Sequence, residues 1–550
     1  MSKKIVIVGG VAGGASAAAR ARRIDETAEI IIFERDSFIS FANCGLPYHI
    51  GGEIKERDAL LVQTPESMKA RFNLDVRIRS EVTDIDPAAK TVTVKHVADG
   101  SEYTESYDEL ILSPGSNPIV PPIPGVDSDS VFTLRNIPDM DKIIHKINIE
   151  APRSAVVVGG GYIGIEMAEA LIHRGIETTM VELANQIMPP MDPEMAVPLH
   201  QEMRRSGVRL VLSDAINAVK DTGTGLELTM SSGNVIKTDM LIMAIGVRPE
   251  VSLAKKAGLE LGKSGGIKVD KHMRTSAANV WAVGDAIEVT HFVTGRPAHI
   301  PLAGPANRQG RIVADNIFGI PSEYKDTLGT GVCKVFNLIA ASTGASEKQL
   351  NSEGITYEKV YVHGDDHAGY YPGATQINLK LIFDPETGRI LGAQAVGPKG
   401  VDKRIDVLAT AIRARLTVYD LEEFELCYAP PFGSAKDIIN QAGFVASNVL
   451  RGSHEICHSD CLNDKNAVLL DVRNPTEIGV LGTIEEAINI PVNDLRDNLD
   501  RLPKDKTINI FCAVGLRGYV AYRLLKQLGY KVKNITGGYT TYQMVKRIGQ

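Results

Sequence analysis

Two short apolar runs that each end in a glycine-rich turn form the first pattern along the chain. Residues 5–8 and residues 155–158 are continuously apolar. Each turn is followed by a stretch of helical periodicity and a second strand-like segment, which ends at Glu34 in one case and Glu182 in the other. Continuous apolar runs of this length are typical of strands buried on both faces of a parallel sheet. The pattern therefore predicts two strand–turn–helix–strand units.

The spacing within these units is that of dinucleotide-binding turns. Gly159, Gly161 and Gly164 match G-x-G-x-x-G, whereas Val11 replaces the middle glycine of the first turn. Glu34 follows the last glycine of its turn by 20 residues, and Glu182 by 18. An acid about 20 residues after the turn binds a ribose 2′-hydroxyl and repels a 2′-phosphate. The second unit is therefore predicted to prefer NADH over NADPH.

Further along the chain, apolar periodicity changes several times. Residues 114–125 are rich in proline and read as an irregular crossing between domains. Residues 377–383 read as a strand, 402–415 as a helix, and 507–511 as a buried strand before a helical run at 520–528. We predict the following domains: 1–112 with 271–325, 113–270, an α+β domain at 326–447, a linker at 448–466, and a small α/β domain at 467–550.

Composition and charge remove several classes of function. The 550 residues are 44% hydrophobic and 23% charged, as in ordinary globular proteins, and the formal charge of −7 gives no reason to expect a nucleic-acid partner. No apolar run reaches the roughly 18 residues of a membrane helix, and the run after Lys4 is too short for a signal peptide. Six cysteines are too few for a disulfide scaffold, which predicts a reduced, cytoplasmic protein.

Cys44, in the segment Ser-Phe-Ala-Asn-Cys-Gly-Leu-Pro-Tyr at 40–48, is the first candidate for chemistry, because a following helix start can stabilise a thiolate. Here the chain resembles pyridine nucleotide-disulfide oxidoreductases that carry a single active-site cysteine. The resemblance rests on this segment together with both glycine-rich turns, Val-Trp-Ala-Val-Gly-Asp at 280–285 and Pro-Leu-Ala-Gly-Pro-Ala-Asn at 301–307. The resemblance covers residues 1 to about 447. It implies two Rossmann-like domains and an α+β domain that forms a homodimer.

The same resemblance assigns cofactors to residues. FAD is expected on the first unit, with Asp285 at its ribityl and phosphate portion, and NADH on the second. The FAD residues implied are Gly9, Val11, Ala12, Gly13, Gly14, Glu34, Arg35, Gly115, Gly284, Asp285, Pro301 and Ala303. Those implied for NADH are Gly159, Gly161, Tyr162, Ile163, Gly164, Glu182 and Gly246.

Within that family the disulfide-reductase branch is the most similar. Oxidase and peroxidase members place a histidine where this chain has Ala12. Tyr428 is implied as a proton donor near the cysteine, and either Tyr370 or Tyr371 as a second tyrosine. Coenzyme A is the implied substrate, with contacts at Ser16, Arg20, Arg23, Ser40, Asn43, Arg71 and Lys436, while Phe72 stands where the reductases have lysine.

Cys512 is a second candidate nucleophile, in Cys-Ala-Val-Gly-Leu-Arg after a predicted strand. A loop at a helix start directs backbone N–H groups at an anionic sulfur, Arg517 adds positive charge, and Gly515 permits a tight turn. With Asp-Val-Arg at 471–473, this segment resembles a rhodanese domain, which carries sulfur as a persulfide. Cys457 and Cys461 lack a second ligand pair, so no metal site is predicted.

Together these features predict an FAD-dependent, NADH-oxidising reductase of CoA persulfide or polysulfide. Cys44 would attack the sulfur substrate, and Cys512 would hold sulfur as a persulfide before sulfide is released. Reduction of CoA disulfide is the alternative within the same chemistry. A sulfurtransferase or sulfur carrier and a flavin redox sensor are the alternatives of other classes.

Overall fold

In the computed structural model, which describes residues 2–549, the two apolar runs become the central strands of two parallel sheets. The chain divides into two units. The first contains residues 2–183 and 207–329, and the second contains residues 184–206 and 330–549.

The elements of the first unit alternate between strands and helices. Its strands are β1 (Lys4–Val8), β2 (Glu29–Phe33), β3 (Asp75–Arg77), β4 (Ser80–Asp86), β5 (Thr91–His96), β6 (Glu102–Ser106), β7 (Glu109–Leu112), β8 (Ser116–Pro118), β9 (Val131–Phe132), β10 (Ser154–Val158), β11 (Glu177–Glu182), β12 (Arg209–Leu212), β13 (Ile216–Asp221), β14 (Leu226–Met230), β15 (Val235–Thr238), β16 (Met240–Met243), β17 (Val247–Pro249), β18 (Val280–Ala282), β19 (Val289–Thr290) and β20 (Pro297–Ala298). Its helices are α1 (Ala12–Ile24), α2 (Leu46–Ile50), α3 (Pro65–Phe72), α4 (Ile137–His145), α5 (Tyr162–His173), α7 (Ser252–Lys256) and α8 (Ala303–Ile317).

The internal repeat extends over two whole domains. The sheet orders are β3-β2-β1-β7-β18 and β12-β11-β10-β16-β9, and all pairs in both sheets are parallel. A three-stranded antiparallel sheet is inserted between β3 and β7 of the first sheet, namely β4–β6, and another between β12 and β16 of the second, namely β13–β15. The glycine-rich turn follows the central strand in both cases, so the predicted pair of Rossmann-like domains is confirmed.

The proline-rich crossing contains a strand that the sequence did not predict. Ser116–Pro118 pairs antiparallel with Val247–Pro249, and this ladder joins the two connections between the dinucleotide-binding domains. The expectation of an irregular segment was wrong here because the partner strand lies about 130 residues away, where no local pattern reports it.

The second unit begins with a helix that lies, in chain order, between β11 and β12 of the second parallel sheet. This helix is α6 (Pro193–Arg205), and it is followed by β21 (Gly331–Val335), β22 (Leu338–Gly344), α9 (Glu347–Ser352), β23 (Glu358–Asp365), β24 (Gln376–Phe383), β25 (Ile390–Gly397), α10 (Val401–Arg413), α11 (Val418–Glu422) and α12 (Ile438–Leu450). The strands form an antiparallel sheet in the order β21-β22-β25-β24-β23. This is the predicted α+β domain.

A buried cation holds α6 against this sheet. Lys380 on β24 is fully buried and contacts the carboxylates of Asp192 at 2.7 Å, Glu194 at 2.5 Å and Glu347. Asp192 and Glu194 stand at the start of α6, and Glu347 begins α9. The segment 184–206, which the sequence assigns to the NADH-binding domain, therefore packs within the second unit.

The C-terminal α/β domain completes the second unit. Its elements are β26 (Ile456–Cys457), β27 (Val468–Asp471), α13 (Pro475–Leu481), β28 (Ile488–Asn489), β29 (Thr507–Phe511), α14 (Leu516–Gln527), β30 (Lys531–Ile535) and α15 (Gly538–Lys546). The sheet is parallel, in the order β26-β30-β29-β27-β28.

The range 448–466, predicted as a linker, is not one. Helix α12 continues to Leu450, and Ile456–Cys457 is an edge strand of the C-terminal sheet. Two residues are too few to show a period, so no local pattern predicts this strand. Among the described residues no helix is both long enough and apolar enough to cross a membrane.

Candidate active site

The first glycine-rich turn is built so tightly that larger residues are excluded. Gly9 has φ +97°, and a Cβ there would lie 2.2 Å from the Ser113 carbonyl oxygen. A Cβ on Gly14 would lie 2.0 Å from the Gly9 carbonyl oxygen. The glycines therefore allow the end of β1 and the start of α1 to pack closely together. The backbone N–H groups at the start of α1 stay open to a phosphate-bearing ligand.

Glu34, at the end of β2, faces this turn. One carboxylate oxygen accepts a hydrogen bond from the Gly10 N–H at 3.0 Å and the other from the Asp36 N–H at 3.0 Å. Burial raises the pKa of this carboxyl, with the two N–H groups acting in the opposite direction. The acid is thus held at the edge of the turn, where a ribose would be recognised.

A cavity of about 320 Å³ follows the turn. Eleven of the twelve residues expected around FAD line it; Gly14 is the exception because it packs on Gly9. The eleven are Gly9, Val11, Ala12, Gly13, Glu34, Arg35, Gly115, Gly284, Asp285, Pro301 and Ala303. A cavity bounded by a helix start, a ribose-binding acid and a small-residue turn fits a dinucleotide.

Arg135 is a lining residue that sequence reasoning missed. Its guanidinium donates to the Pro114 carbonyl oxygen at 3.0 Å and to Asn117. Burial, and the nearby charge of Arg35, lower its pKa. Arg135 precedes the capping residue of α4 and belongs to no glycine motif, so no sequence signal marks it.

Cys44 lies where this cavity meets a second one. It is exposed, in a short 3₁₀ turn (Asn43–Gly45) that leads into α2, and it lines both cavities. Burial by the cavity walls raises the pKa of its thiol, and the carboxylates of Glu166 and Asp285 raise it further. The expected stabilisation of the thiolate by the following helix is therefore outweighed, because α2 has only five residues and two acids stand nearby.

The second cavity, of about 620 Å³, leads away from Cys44. Its lining includes five residues expected to contact coenzyme A, together with Phe72 and one cation, Arg311, that the sequence analysis missed. The five are Ser16, Arg23, Ser40, Asn43 and Arg71. Arg20 is outside this lining, because its Nε donates to Asp315 at 2.6 Å. Three arginines around one open cavity suit a ligand with several phosphates.

The second glycine-rich turn repeats the first with one difference. Gly159 and Gly164 are crowded, with a Cβ placed 2.3 Å from the Ala244 carbonyl oxygen and 1.9 Å from the Gly159 carbonyl oxygen, respectively. At Gly161 a Cβ would meet nothing within 4 Å, so this position faces open space. Glu182 accepts from the Gly160 N–H at 2.6 Å, as Glu34 does in the first turn. The remaining expected residues lie at the start of α5 (Tyr162 and Ile163) and in the turn after β16 (Gly246, φ +110°).

In the second unit, two of the predicted tyrosines meet. The hydroxyls of Tyr370 and Tyr428 are 3.1 Å apart, and the Tyr428 contact raises the pKa of Tyr370. Tyr371 instead packs edge-on against His367. Lys436 is exposed just before α12. Two exposed hydroxyls that share a hydrogen bond can transfer a proton between them.

Cys512 occupies the loop between β29 and α14. The Gly515 N–H donates to its sulfur at 3.1 Å, and the side chain is fully buried. Arg517 makes two bonds of 2.7 Å with Glu477, and these, together with the nearby Cys512 sulfur, raise the pKa of the guanidinium. An anionic sulfur here faces a backbone donor and a cation.

The remaining motif of the C-terminal domain is structural. Arg473 donates to Asp471 at 2.6 Å and lies 4.1 Å over the Tyr539 ring, with both charged groups fully buried. Cys457 and Cys461 share one small apolar cluster, and Nε2 of His458, which lies between them in sequence, is 2.8 Å from a Glu358 carboxylate oxygen.

Comparison with protein families gives three matches. The model described as pyridine nucleotide-disulphide oxidoreductase matches residues 3–310, and the dimerisation-domain model of the same family matches residues 331–437. A rhodanese-like domain model matches residues 458–544.

Similar proteins agree with these matches. A coenzyme A disulfide reductase of Staphylococcus aureus (strain JH9) is 39% identical over 446 residues, covering 80% of this chain and 99% of the relative. The crystal structure of reduced Bacillus anthracis CoADR-RHD has a TM-score of 0.97 and 54% identity, covering 99% of this chain and 98% of that one. An NAD-dependent persulfide reductase from A. fulgidus has a TM-score of 0.92 and 38% identity, covering 98% of this chain and 100% of that one.

Proposed function

Because this chain belongs to the pyridine nucleotide-disulphide oxidoreductase family, in which FAD and NAD(P)H serve to reduce a sulfur group, we propose that it is an NADH-dependent reductase of sulfane sulfur. Its substrates are CoA persulfide or polysulfide, and it releases sulfide. The observation that carries the proposal is the position of Cys44, which lines both the glycine-rich cavity and the arginine-lined cavity. Electrons would therefore reach the Cys44 sulfur from the glycine-rich cavity, and the substrate would reach it from the arginine-lined cavity.

The first cavity suits FAD, as its crowded turn and its acid at the β2 end indicate. When bound, FAD carries two electrons from the nicotinamide to the sulfur at Cys44. Glu34 orients the ribose, and the start of α1 receives the pyrophosphate. Glu182 plays the corresponding part in the second turn and disfavours NADPH.

Cys44 performs the sulfur chemistry. Its thiolate attacks the CoA-bound sulfur of CoA–S–SH, so that a Cys44–S–S–CoA bond forms and hydrosulfide leaves. Two electrons and a proton then cleave this mixed disulfide into the Cys44 thiolate and CoA–SH. Over the cycle one NADH and one proton convert CoA persulfide into CoA and hydrogen sulfide.

Protonation of the leaving sulfur is assigned to the tyrosine pair. Tyr428 is the proposed proton donor. Tyr370, hydrogen-bonded to it at 3.1 Å, then resupplies Tyr428 with a proton. A homodimer formed through residues 331–437 is part of this proposal, as is a reducing cytoplasmic setting for the six free cysteines.

The Cys512 loop favours sulfane sulfur over plain disulfide. Its donor N–H and the nearby Arg517 are features that stabilise an anionic persulfide. A reductase confined to CoA disulfide has no use for such a loop. Reduction of CoA disulfide is nevertheless the second candidate, because the arginine-lined cavity at Cys44 accepts CoA whichever sulfur it carries.

The test is anaerobic oxidation of NADH by the purified holoenzyme. CoA persulfide, polysulfide and CoA disulfide are offered separately, and sulfide is quantified. We expect kcat/KM for the persulfide to exceed that for the disulfide at least tenfold, with one sulfide per NADH. A preference for CoA disulfide without sulfide release would instead establish the second candidate.

Matched variants assign the two cysteines. Cys44→Ser is expected to abolish turnover of every substrate. Cys512→Ser is expected to lower polysulfide turnover and leave CoA disulfide turnover intact, whereas Cys461→Ser in the same domain serves as the control. Unchanged polysulfide turnover in Cys512→Ser would remove the persulfide relay from the proposal.

A further inference from the structure

The Cys512 loop is held from behind by the first turn of α15. The Tyr539 N–H donates to the Cys512 carbonyl oxygen at 2.8 Å, and the Thr540 N–H donates to the Ala513 carbonyl oxygen at 3.0 Å. Gly538 packs so closely that a Cβ would lie 2.4 Å from the Cys512 carbonyl oxygen. These contacts set the direction of the loop in which the Gly515 N–H meets the sulfur, so the position of α15 determines the shape of the sulfur site.

The antiparallel sheet of the same unit holds the first turn of α15 in place. Nε2 of His363, on β23, lies 2.8 Å from the Thr541 hydroxyl, and the Tyr361 N–H donates to the Thr536 hydroxyl at 3.1 Å. At Gly537 a Cβ would lie 2.7 Å from the Tyr361 Cβ. Strand β23 and the loop before α15 are therefore in close contact, with no space for a side chain at Gly537.

The chemistry of His363 makes its bond directional. Its Nδ1 lies 2.7 Å from the side-chain oxygen of Asn378 on β24, so Nδ1 carries the proton and Nε2 accepts from the Thr541 O–H. Burial lowers the pKa of this imidazole to about 4, which keeps it neutral at physiological pH. A buried, neutral imidazole with both nitrogens bonded is a rigid support.

We propose that His363 is a positioning residue for Cys512: it fixes the first turn of α15 through Thr541, and that turn shapes the loop that receives sulfur. The inference rests on the proposed role of Cys512 as the persulfide carrier. It adds that the sulfur site is completed by the reductase part of the chain. The rhodanese domain then works as a docked component and not as an independent module.

The alternative is that His363 only fastens one domain to the other. His458 offers a matched control, because it bonds Glu358 on the same strand at 2.8 Å, and within residues 2–549 its hydrogen bonds reach neither α15 nor the Cys512 loop. A residue that merely fastens the domains should behave like His458. A positioning residue should change Cys512 reactivity when His458 does not.

The experiment uses the full-length holoenzyme and its variants His363→Leu, His363→Gln, Thr541→Val and His458→Leu. Sulfur transfer from thiosulfate to cyanide reports on Cys512: the thiolate takes the outer sulfur and releases sulfite, and cyanide then removes that sulfur as thiocyanate. We expect His363→Leu and Thr541→Val to lower kcat/KM at least tenfold, mainly through kcat. His363→Gln, which restores an acceptor near the Nε2 position, should recover to within threefold, and His458→Leu should stay within twofold.

Two further readouts separate this inference from the proposed function. NADH oxidation with CoA disulfide, which uses Cys44, should stay within twofold in every variant. The alkylation rate of Cys512, followed by mass spectrometry, tests the positioning role without any sulfur donor. If thiosulfate is no substrate, that outcome counts only against the assignment of Cys512 as the persulfide carrier. Equal losses in His458→Leu and Thr541→Val, or full sulfur transfer and unchanged alkylation in Thr541→Val, would overturn the inference.

Discussion

Replacing Lys380 by methionine tests the reasoning about the second unit most directly. The ammonium is fully buried and is shared by Asp192, Glu194 and Glu347. Methionine has nearly the same length and no charge. The substitution leaves the packing of β24 almost unchanged and removes the cation from among three carboxylates.

The magnitude follows from the charges that remain. Lys380 and Lys359 lower the pKa of Glu347 from 4.5 to about 2, against the effect of burial. Such a shift corresponds to about 3 kcal/mol of stabilisation of the charged form. One cation cannot satisfy all three acids equally, and burial raises the pKa of Asp192. Removing one partner of a buried ion pair costs about 3–5 kcal/mol, so Lys380→Met should lower the apparent Tm by about 10 °C.

Thermal unfolding of the holoenzyme, followed by circular dichroism at pH 7, measures this loss. Lys359→Met is the matched control, because Lys359 is 21% exposed and bonds only Glu347 of the three acids, and we expect a drop of no more than about 3 °C. The Glu347 contribution is complete above pH 4.5 and declines as the pH falls towards 2. The deficit of Lys380→Met should therefore be constant between pH 7 and pH 5 and shrink as the pH falls from 4.5 towards 2. Equal Tm values for the two variants at pH 7 would refute the reasoning.

Three further predictions concern the first unit. Gly14→Ala should abolish retention of FAD, measured by the flavin absorbance of the purified protein, because its Cβ would lie 2.0 Å from the Gly9 carbonyl oxygen; stoichiometric flavin would contradict this. Glu166→Gln should lower the pKa of Cys44 and speed its alkylation above pH 7, since burial raises the pKa of Glu166 to about 7 and its charge acts on the thiol; the difference should vanish below about pH 6, and a pH-independent difference would be inconsistent with this cause. Gly161→Ala should raise the KM for NADH at least tenfold with an unchanged Tm, because its Cβ would enter open space; an unchanged KM would exclude ligand approach at this glycine.

The parts of the fold predicted correctly are those with a local cause. A parallel strand buried on both faces must be continuously apolar, and β1 and β10 are. The turns after them need glycine, as φ values of +97° at Gly9 and +106° at Gly159 demonstrate. The family resemblance built on these motifs is confirmed by the family matches.

What escaped prediction depends on partners distant in sequence. The ladder between β8 and β17 joins segments about 130 residues apart, and the edge strand at Ile456 pairs with one near residue 534. Arg135 and Arg311 line their cavities from positions outside the motifs, Arg135 just before α4 and Arg311 on α8 beyond the segment 301–307. A periodic pattern reports which face of an element is buried and not which element covers it.

The buried Lys380 cluster also has a consequence for biosynthesis. Glu194 leaves the ribosome 186 residues before Lys380, which at about 5–20 residues per second is an interval of roughly 10–40 s. The sheet that contains β10 is complete once β16 has been made, at a stage when the segment 184–206 still has no partner. During that interval the acids at the start of α6 remain hydrated, and the helix docks only when β24 emerges. The order of translation therefore sets the order of assembly, with the reductase's first unit formed before the second is possible.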